Sequence, residues 1–197
     1  PLLPSVLTCD GVLSAPQLES VIYAGHAHAC HLKGWFKPSE IAGQLVTGAE
    51  DDEGAFRLRK GWFLGDGTGC GKGRQVAGVI VDNWLHGRKR AVWVSKSDKL
   101  IEDAKRDWMA LGGRESDIIP LSKFRQGSDI RLAEGILFVT YATLRFAERE
   151  GKASRLDQVV AWLGDGFDGV IAFDESHAMA NAAGEKSARG DKKASQQ

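Results

Sequence analysis

Two stretches of this sequence carry residues whose types and spacing suit chemistry on a phosphate. The first is Gly65-Asp-Gly-Thr-Gly-Cys-Gly-Lys-Gly73, with Arg74 behind it. Wrapping an anion requires glycines that let the backbone curl its N–H groups inward. It also requires a lysine that reaches the β- and γ-phosphates, and a helix N-terminus behind the loop. Asp66, Gly67, Thr68, Gly69, Cys70, Gly71, Lys72, Gly73 and Arg74 are therefore the nucleotide-binding candidates, with Lys72 first among them. The strict phosphate-loop pattern fails at both ends: Asp66 stands where the first glycine belongs, and Gly73 replaces the Ser or Thr whose hydroxyl meets Mg2+. The dinucleotide fingerprint G-x-G-x-x-G fits in no register. A flexible glycine-rich hairpin is the alternative, and the apolar run before the loop and the helical pattern after it argue against one.

The second stretch is Gly169-Val-Ile-Ala-Phe-Asp-Glu-Ser-His177. A continuous apolar run that ends in carboxylates reads as a strand buried on both faces. It delivers Asp174 and Glu175 at its C-terminal end, the edge where parallel α/β sheets bind ligands. There Asp174 is placed to hold Mg2+, directly or through water. Glu175 is placed to polarise an attacking water as general base, and His177 to sit near a γ-phosphate. The alternative is an ordinary strand end with solvated carboxylates, and the company of Lys72 in the same chain tells against it.

The hydrophobic pattern predicts the elements that present these residues. Residues 1–13 read as an irregular lead-in with two prolines. A helix starts at Ser14, whose capping box is completed by Gln17, and apolar residues from Leu18 to Leu32 follow at helical spacing. The charged stretch 47–60 reads as a solvated loop or hairpin. Then strands and helices alternate. A strand at Trp62–Leu64 leads into the loop, and a helix through Val76, Ile80 and Trp84 stops at Gly87. A strand at Ala91–Val94 precedes a helix from Leu100 to Leu111 behind Ser97. Strands at Ile118–Ile119 and Ile136–Val139, a helix from Leu156 to Leu163 and the strand Val170–Phe173 complete the series. This order means an α/β fold, a three-layer parallel sheet with helices on both faces. The domain is expected over 14–182, between the lead-in 1–13 and a mobile polar tail at 183–197.

Composition bounds the rest. At 197 residues and 43% hydrophobic the chain can bury one good core. Lys plus Arg is 26 and Asp plus Glu is 26, so no general electrostatic grip on nucleic acid is written into it. No apolar run reaches the roughly 18 residues of a membrane span, and no basic-then-apolar leader is visible. Three cysteines without paired spacing fit a reducing, intracellular setting, cytoplasmic in a bacterium or nuclear in a eukaryote.

The segments GDGTGCGKGRQVAGVIVDNW (65–84), RKRAVWVSKSDKLIEDAKRDW (88–108), GILFVTYATL (135–144) and FDGVIAFDESHAMAN (167–181) together resemble the first motor domain of superfamily-2 DExH-type helicases and translocases. More narrowly, the sequence is similar to the AAA/helicase-like P-loop domain of the strawberry notch family over about residues 13–182. Gly73 is then a family trait, since GKGR replaces GKT there; DESH departs mildly from the family's DEAH- or DECH-like box. The resemblance implies a RecA-like P-loop NTPase that takes ATP with Mg2+. It assigns catalysis to Lys72, Glu175 and His177, the metal to Asp174, and adenine reading to Gln17, for which the capping box is the competing role. It further implies nucleic-acid backbone contacts, DNA or RNA, at Ser95, Lys96, Thr140 and Tyr141, where strand caps and turns are the competing reading. A second RecA-like domain of the same parent chain would close over the nucleotide and supply an arginine, and residues after 182 are too few to build it. Membranes are not among the expected partners.

Two rivals stand beside this reading. A non-hydrolysing nucleotide-binding scaffold in a transcriptional or chromatin complex is opposed by the retained Lys72, Asp174 and Glu175. A small-molecule kinase is opposed by the lack of an Arg-rich lid. His26, His28, Cys30 and His31 tempt a metal reading, but their helical pairs fall on different faces. Trp84, Trp93 and Trp108 read as core. Arg88-Lys-Arg90 reads as a solvated turn, and as the best local candidate for a phosphate-backbone contact.

Overall fold

A computed structural model describes residues 1–41, 44–67, 69–145 and 153–179. Thr68 and the tail expected at 183–197 lie outside the described residues. The chain divides into two compact units, Pro1–Asp82 and Asn83–Gln197.

The first unit opens with a short helix, α1 (Ser5–Cys9), where the sequence pattern suggests an irregular lead-in. Its order has a packing cause: Leu7 and Leu13 are buried, and the Leu2 N–H donates to the buried Asp82 carboxylate at 2.6 Å. The next helix, α2 (Ala15–His28), starts as its capping box predicts, with the Ser14 N–H donating to Gln17 Oε1 at 3.0 Å. It stops four residues short of Leu32, which is exposed beyond the Ala29 cap. An antiparallel hairpin follows, β1 (Trp35–Pro38) with β2 (Leu45–Gly48), Trp35 opposite Gly48. The acidic run turns back beside it. Asp52 accepts from Lys37 Nζ at 2.6 Å and from the Ala49 N–H at 3.2 Å, and these bonds hold its carboxyl below the usual carboxylate range.

The expected strand at Trp62–Leu64 does not form. These residues have no ladder partner among the described residues, Phe63 is 79% exposed, and Trp62 rests against Tyr23 with ring centroids 6.0 Å apart. A three-residue apolar run between two glycines carries no period of its own, and without a neighbouring strand it stays single. The long helix behind the loop, α3 (Lys72–Leu85), begins at Lys72 itself. It packs closely on α2: a Cβ at Gly78 would stand 2.8 Å from Val21 Cγ2. That close approach brings the start of α2 beside the loop before α3.

The second unit is a parallel sheet. Its strands are β3 (Arg90–Ser95), β4 (Ile118–Pro120), β5 (Gly135–Thr140) and β6 (Val170–Phe173), in the order β4-β5-β3-β6. The connecting helices are α4 (Ile101–Ala110), α5 (Tyr141–Leu144) and α6 (Arg155–Leu163). Local signals place them: Ser97 Oγ accepts from the Lys99 N–H ahead of α4, and Ser154 with Asp157 forms a capping box on α6. Alternate residues of β3 and β5 serve the two faces of the sheet. Val92, Val94, Leu137 and Val139 pack with Leu121, Ile130, Val159 and Trp162. Ala91, Trp93, Ile136 and Phe138 point the other way and are also buried. With both faces covered, these strands read as unbroken apolar runs.

β6 departs from the expectation of a strand buried on both faces. It is an edge strand paired only to β3 among the described residues, and Ile171 and Phe173 are 43% and 47% exposed. Trp93 and Trp108 are core residues, and Trp84 packs against Trp108 with tilted rings, centroids 5.4 Å apart. No helix among the described residues is long and apolar enough to cross a membrane.

Candidate functional site

The loop in the first unit has the backbone an anion cradle needs. Gly69 and Gly71 adopt φ of +87° and +72°, a region open to glycine and strained for most other residues. The Gln75 N–H already bonds the Gly71 carbonyl at 3.2 Å, so the helical ladder starts there. The N–H groups of Lys72, Gly73 and Arg74 precede it, at the positive end of α3. The Lys72 ammonium folds back and donates to the carbonyls of Asp66 and Gly67, both at 3.0 Å. A phosphate on this loop has to draw the lysine off those two oxygens.

Two glutamines hold the loop. Of the two roles expected for Gln17, the capping box forms, with Oε1 accepting from the Ser14 N–H, while Nε2 donates to the Cys70 carbonyl at 3.2 Å. A Cβ at Gly71 would run into that same Nε2, so Gly71 is required for space as well as for its dihedral. Gln75, which the motif reading passed over, is 1% exposed and donates from Nε2 to Asp66 Oδ2 at 2.8 Å. Its signal in the sequence is a glutamine on a buried stripe of α3, in step with Gly78 and Asp82. Arg74 points elsewhere, with its guanidinium donating to the Val12 carbonyl at 3.4 Å.

In the second unit the register of the strands builds the acidic edge. Ser95 ends β3 opposite Thr140 of β5, and Val94 lies opposite Phe173 of β6. One residue further, Asp174 therefore falls beside Ser95. Its N–H continues the ladder to the Val94 carbonyl at 2.9 Å, and Ser95 Oγ donates to Asp174 Oδ2 at 3.0 Å. The Tyr141 hydroxyl donates to the Asp174 carbonyl at 2.7 Å. Burial first, then the charges of Asp174 and Glu175, push the Tyr141 phenol above its ordinary value. That keeps it a neutral donor. Thr140 Oγ1 caps α5 by accepting from the Thr143 N–H at 3.1 Å.

Glu175 stands in the left-handed region, φ +51°, the only non-glycine residue to do so among the described ones. This turns its exposed carboxylate away from the strand direction and toward His177, whose Nδ1 is 3.2 Å from Glu175 Oε2. Strain of this kind concentrates at functional positions.

The nucleic-acid contacts implied for Ser95 and Thr140 do not extend to their hydroxyls here. Both side chains are buried and already bonded inside the unit. Lys96 is exposed directly after β3. The Arg88-Lys-Arg90 run leaves a surface turn for β3, and its charges are paired rather than free. Arg88 pairs with Asp168 at 2.7 Å, Lys89 with Glu134 at 3.2 Å, and Arg90 donates to the Ala133 and Trp162 carbonyls. Among the described residues no group of three His, Cys, Asp or Glu could hold a metal ion. For Mg2+, the half-buried Asp174 carboxylate, held from one oxygen by Ser95, is a suitable hard oxygen donor.

The whole chain, residues 1–197, matches the profile of the family described as P-loop containing NTP hydrolase pore-1. It is 41% identical over 179 residues to the mouse protein strawberry notch homolog 2, covering 90% of this chain and 12% of that protein. It is 38% identical over 188 residues to Drosophila melanogaster strawberry notch (91% and 10%) and 36% identical over 173 residues to Arabidopsis thaliana FORGETTER 1 (86% and 12%). The chain thus spans about a tenth of the length of these relatives. No solved structure matches.

Two stability measurements follow from this geometry. In a double-mutant cycle read by urea unfolding, Ser95→Ala and Asp174→Ala should couple by about 1–2 kcal/mol, as a hydrogen bond to a carboxylate does. Strict additivity would show that the bond contributes nothing. Glu175→Gly should leave the protein as stable as before or slightly more so. Relief of a left-handed residue, about 1–2 kcal/mol, offsets the roughly 0.5–1 kcal/mol cost of glycine's freedom. A loss above 1 kcal/mol on the same measurement would rule out backbone strain at Glu175.

Proposed function

The chain belongs to the P-loop containing NTP hydrolase pore-1 family, and from that premise we propose that it is the ATP-binding motor half of a DExH-type nucleic-acid-dependent ATPase. The observation that carries this reading is the loop of residues 65–73, with two left-handed glycines directly before a 14-residue helix that starts at a lysine. In this reading the loop N–H groups and Lys72 bind the β- and γ-phosphates. Glu175 takes the proton of the attacking water, and its left-handed backbone and His177 fix where that carboxylate points. Bound Mg2+ would neutralise charge on the β- and γ-phosphate oxygens. Because Gly73 has no hydroxyl to offer, Asp174 would hold it, oriented by Ser95 and Tyr141.

The helicase or translocase role belongs to the parent protein in this reading, with DNA or RNA as its partner and a second RecA-like domain completing the site. Lys96, exposed after β3, is the residue here best suited to a nucleic-acid phosphate.

Isothermal titration with ATP and Mg2+ tests the proposal. Lys72→Ala should weaken binding tenfold or more. Asp174→Asn should retain binding of ATP alone but abolish the gain that Mg2+ brings. Turnover by this chain should be slow, since without a partner arginine the transition-state charge is uncompensated, a loss of order 10³. Equal affinity in the native chain and Lys72→Ala would refute the phosphate-loop assignment. Brisk turnover abolished by Glu175→Gln would refute the need for a second domain.

A further inference from the structure

The loop contains a carboxylate, and a carboxylate is a liability where a triphosphate binds. Asp66 stands where a glycine is usual in such loops, with its side chain exposed. Left to rotate, it would place a negative charge among the N–H groups that an incoming anion needs. The structure shows what restrains it. Gln75 lies one turn into α3, and its side chain leans back toward the helix N-terminus under the loop, as helical side chains do. Nε2 donates to Asp66 Oδ2 at 2.8 Å and reaches the Cys70 carbonyl at 3.4 Å. A single buried amide thus bridges the two ends of the loop.

The other half of that amide is informative. Gln75 Oε1 is buried and has no hydrogen-bond partner, the one such side-chain atom among the described residues. Turning the amide over would relieve nothing, because Oε1 would then face a carboxylate and a carbonyl, both acceptors. A buried acceptor left unmade is costly, and an apolar side chain of the same shape would avoid the cost. Fold stability alone does not account for a glutamine at this position.

We propose that Gln75 is the positioning residue of the phosphate loop: its buried amide holds the Asp66 carboxylate and the Cys70 carbonyl away from the cradle, so that the loop N–H groups are left to the phosphate. This rests on the loop binding phosphate, and it deepens that reading by naming what shapes the loop. Gln17 supports the same carbonyl from outside, donating to Cys70 O at 3.2 Å, but it does not reach Asp66. Among the described residues Gln75 alone couples the two.

Gln75→Met tests this, because it keeps length and apolar bulk while removing the donor. The melting temperature should hold or rise, since the unmade acceptor is gone, whereas affinity for ATP with Mg2+ should fall tenfold or more. A purely structural glutamine gives the opposite pattern, with lost stability and unchanged affinity, and that result overturns the proposal. Gln75→Glu should weaken binding further by setting carboxylate against carboxylate, and Gln75→Glu with Asp66→Asn should recover most of it by exchanging donor and acceptor. Failure of the exchange to recover any affinity also counts against it.

A readout without nucleotide separates this proposal from the reading beneath it. Cys70 is an exposed free thiol in the held loop, and Cys9 and Cys30 serve as exposed internal references. The rate of iodoacetamide modification at Cys70, followed by peptide mass spectrometry, should rise threefold or more in Gln75→Met while Cys9 and Cys30 stay constant. An unchanged Cys70 rate overturns the proposal even if ATP binds. If the native chain and Lys72→Ala bind ATP equally but the Cys70 rate rises, the phosphate reading fails and Gln75 still holds the loop.

Discussion

An α-helix cannot satisfy its own first N–H groups, and the loop before α3 is organised around that deficit. α3 starts at Lys72, and its ladder begins with the bond from the Gln75 N–H to the Gly71 carbonyl. What precedes it must leave those N–H groups accessible and must not crowd them. Gly69 and Gly71 meet that demand through left-handed dihedrals, and the close packing of α3 on α2 at Gly78 brings Gln17 to the loop as a brace. The Lys72 ammonium rests on two loop carbonyls, so the positive charge is already held at the place an anion would take.

The acidic half follows from a different constraint, the shared register of parallel strands. Thr140, Ser95 and Asp174 line up because β5, β3 and β6 end in step. Neighbouring residues in such a row point to the same face, so the serine finds the carboxylate without any loop to position it. Past the row the chain has to turn. The left-handed Glu175 makes that turn and points the second carboxylate at His177. One hydroxyl from α5, that of Tyr141, fixes the peptide at the pivot.

The parts of this arrangement that local sequence determines were legible in it. Capping residues Ser14 and Ser97, the apolar runs of β3 and β5, and the helical stripes of α3, α4 and α6 all rest on contacts within a few residues. The features that depend on distant neighbours were not. Trp62–Leu64 reads as a strand from its residue types, yet a strand exists only where another pairs with it, and none of the described residues does. The apolar run 170–173 looks central but is an edge among the described residues, because sheet order is not a property of the run. The hairpin at 35–48 carries no tight-turn dipeptide to announce it. At the site, Lys72, Asp174 and Glu175 are visible as motif residues. The partners that hold the motifs, Gln75 to Asp66 and Ser95 to Asp174, are ordinary polar residues until the fold brings them together.

The central claim is that residues 65–74 form the phosphate cradle. Amide hydrogen exchange with and without a nucleoside triphosphate tests it most directly, since it reads the N–H groups themselves. Exchange should slow across the loop and the first turn of α3 with ATP and Mg2+. The same pattern should appear with inorganic triphosphate at higher concentration, and none with adenosine. Protection confined to other parts of the chain, or equal protection by adenosine, would contradict it.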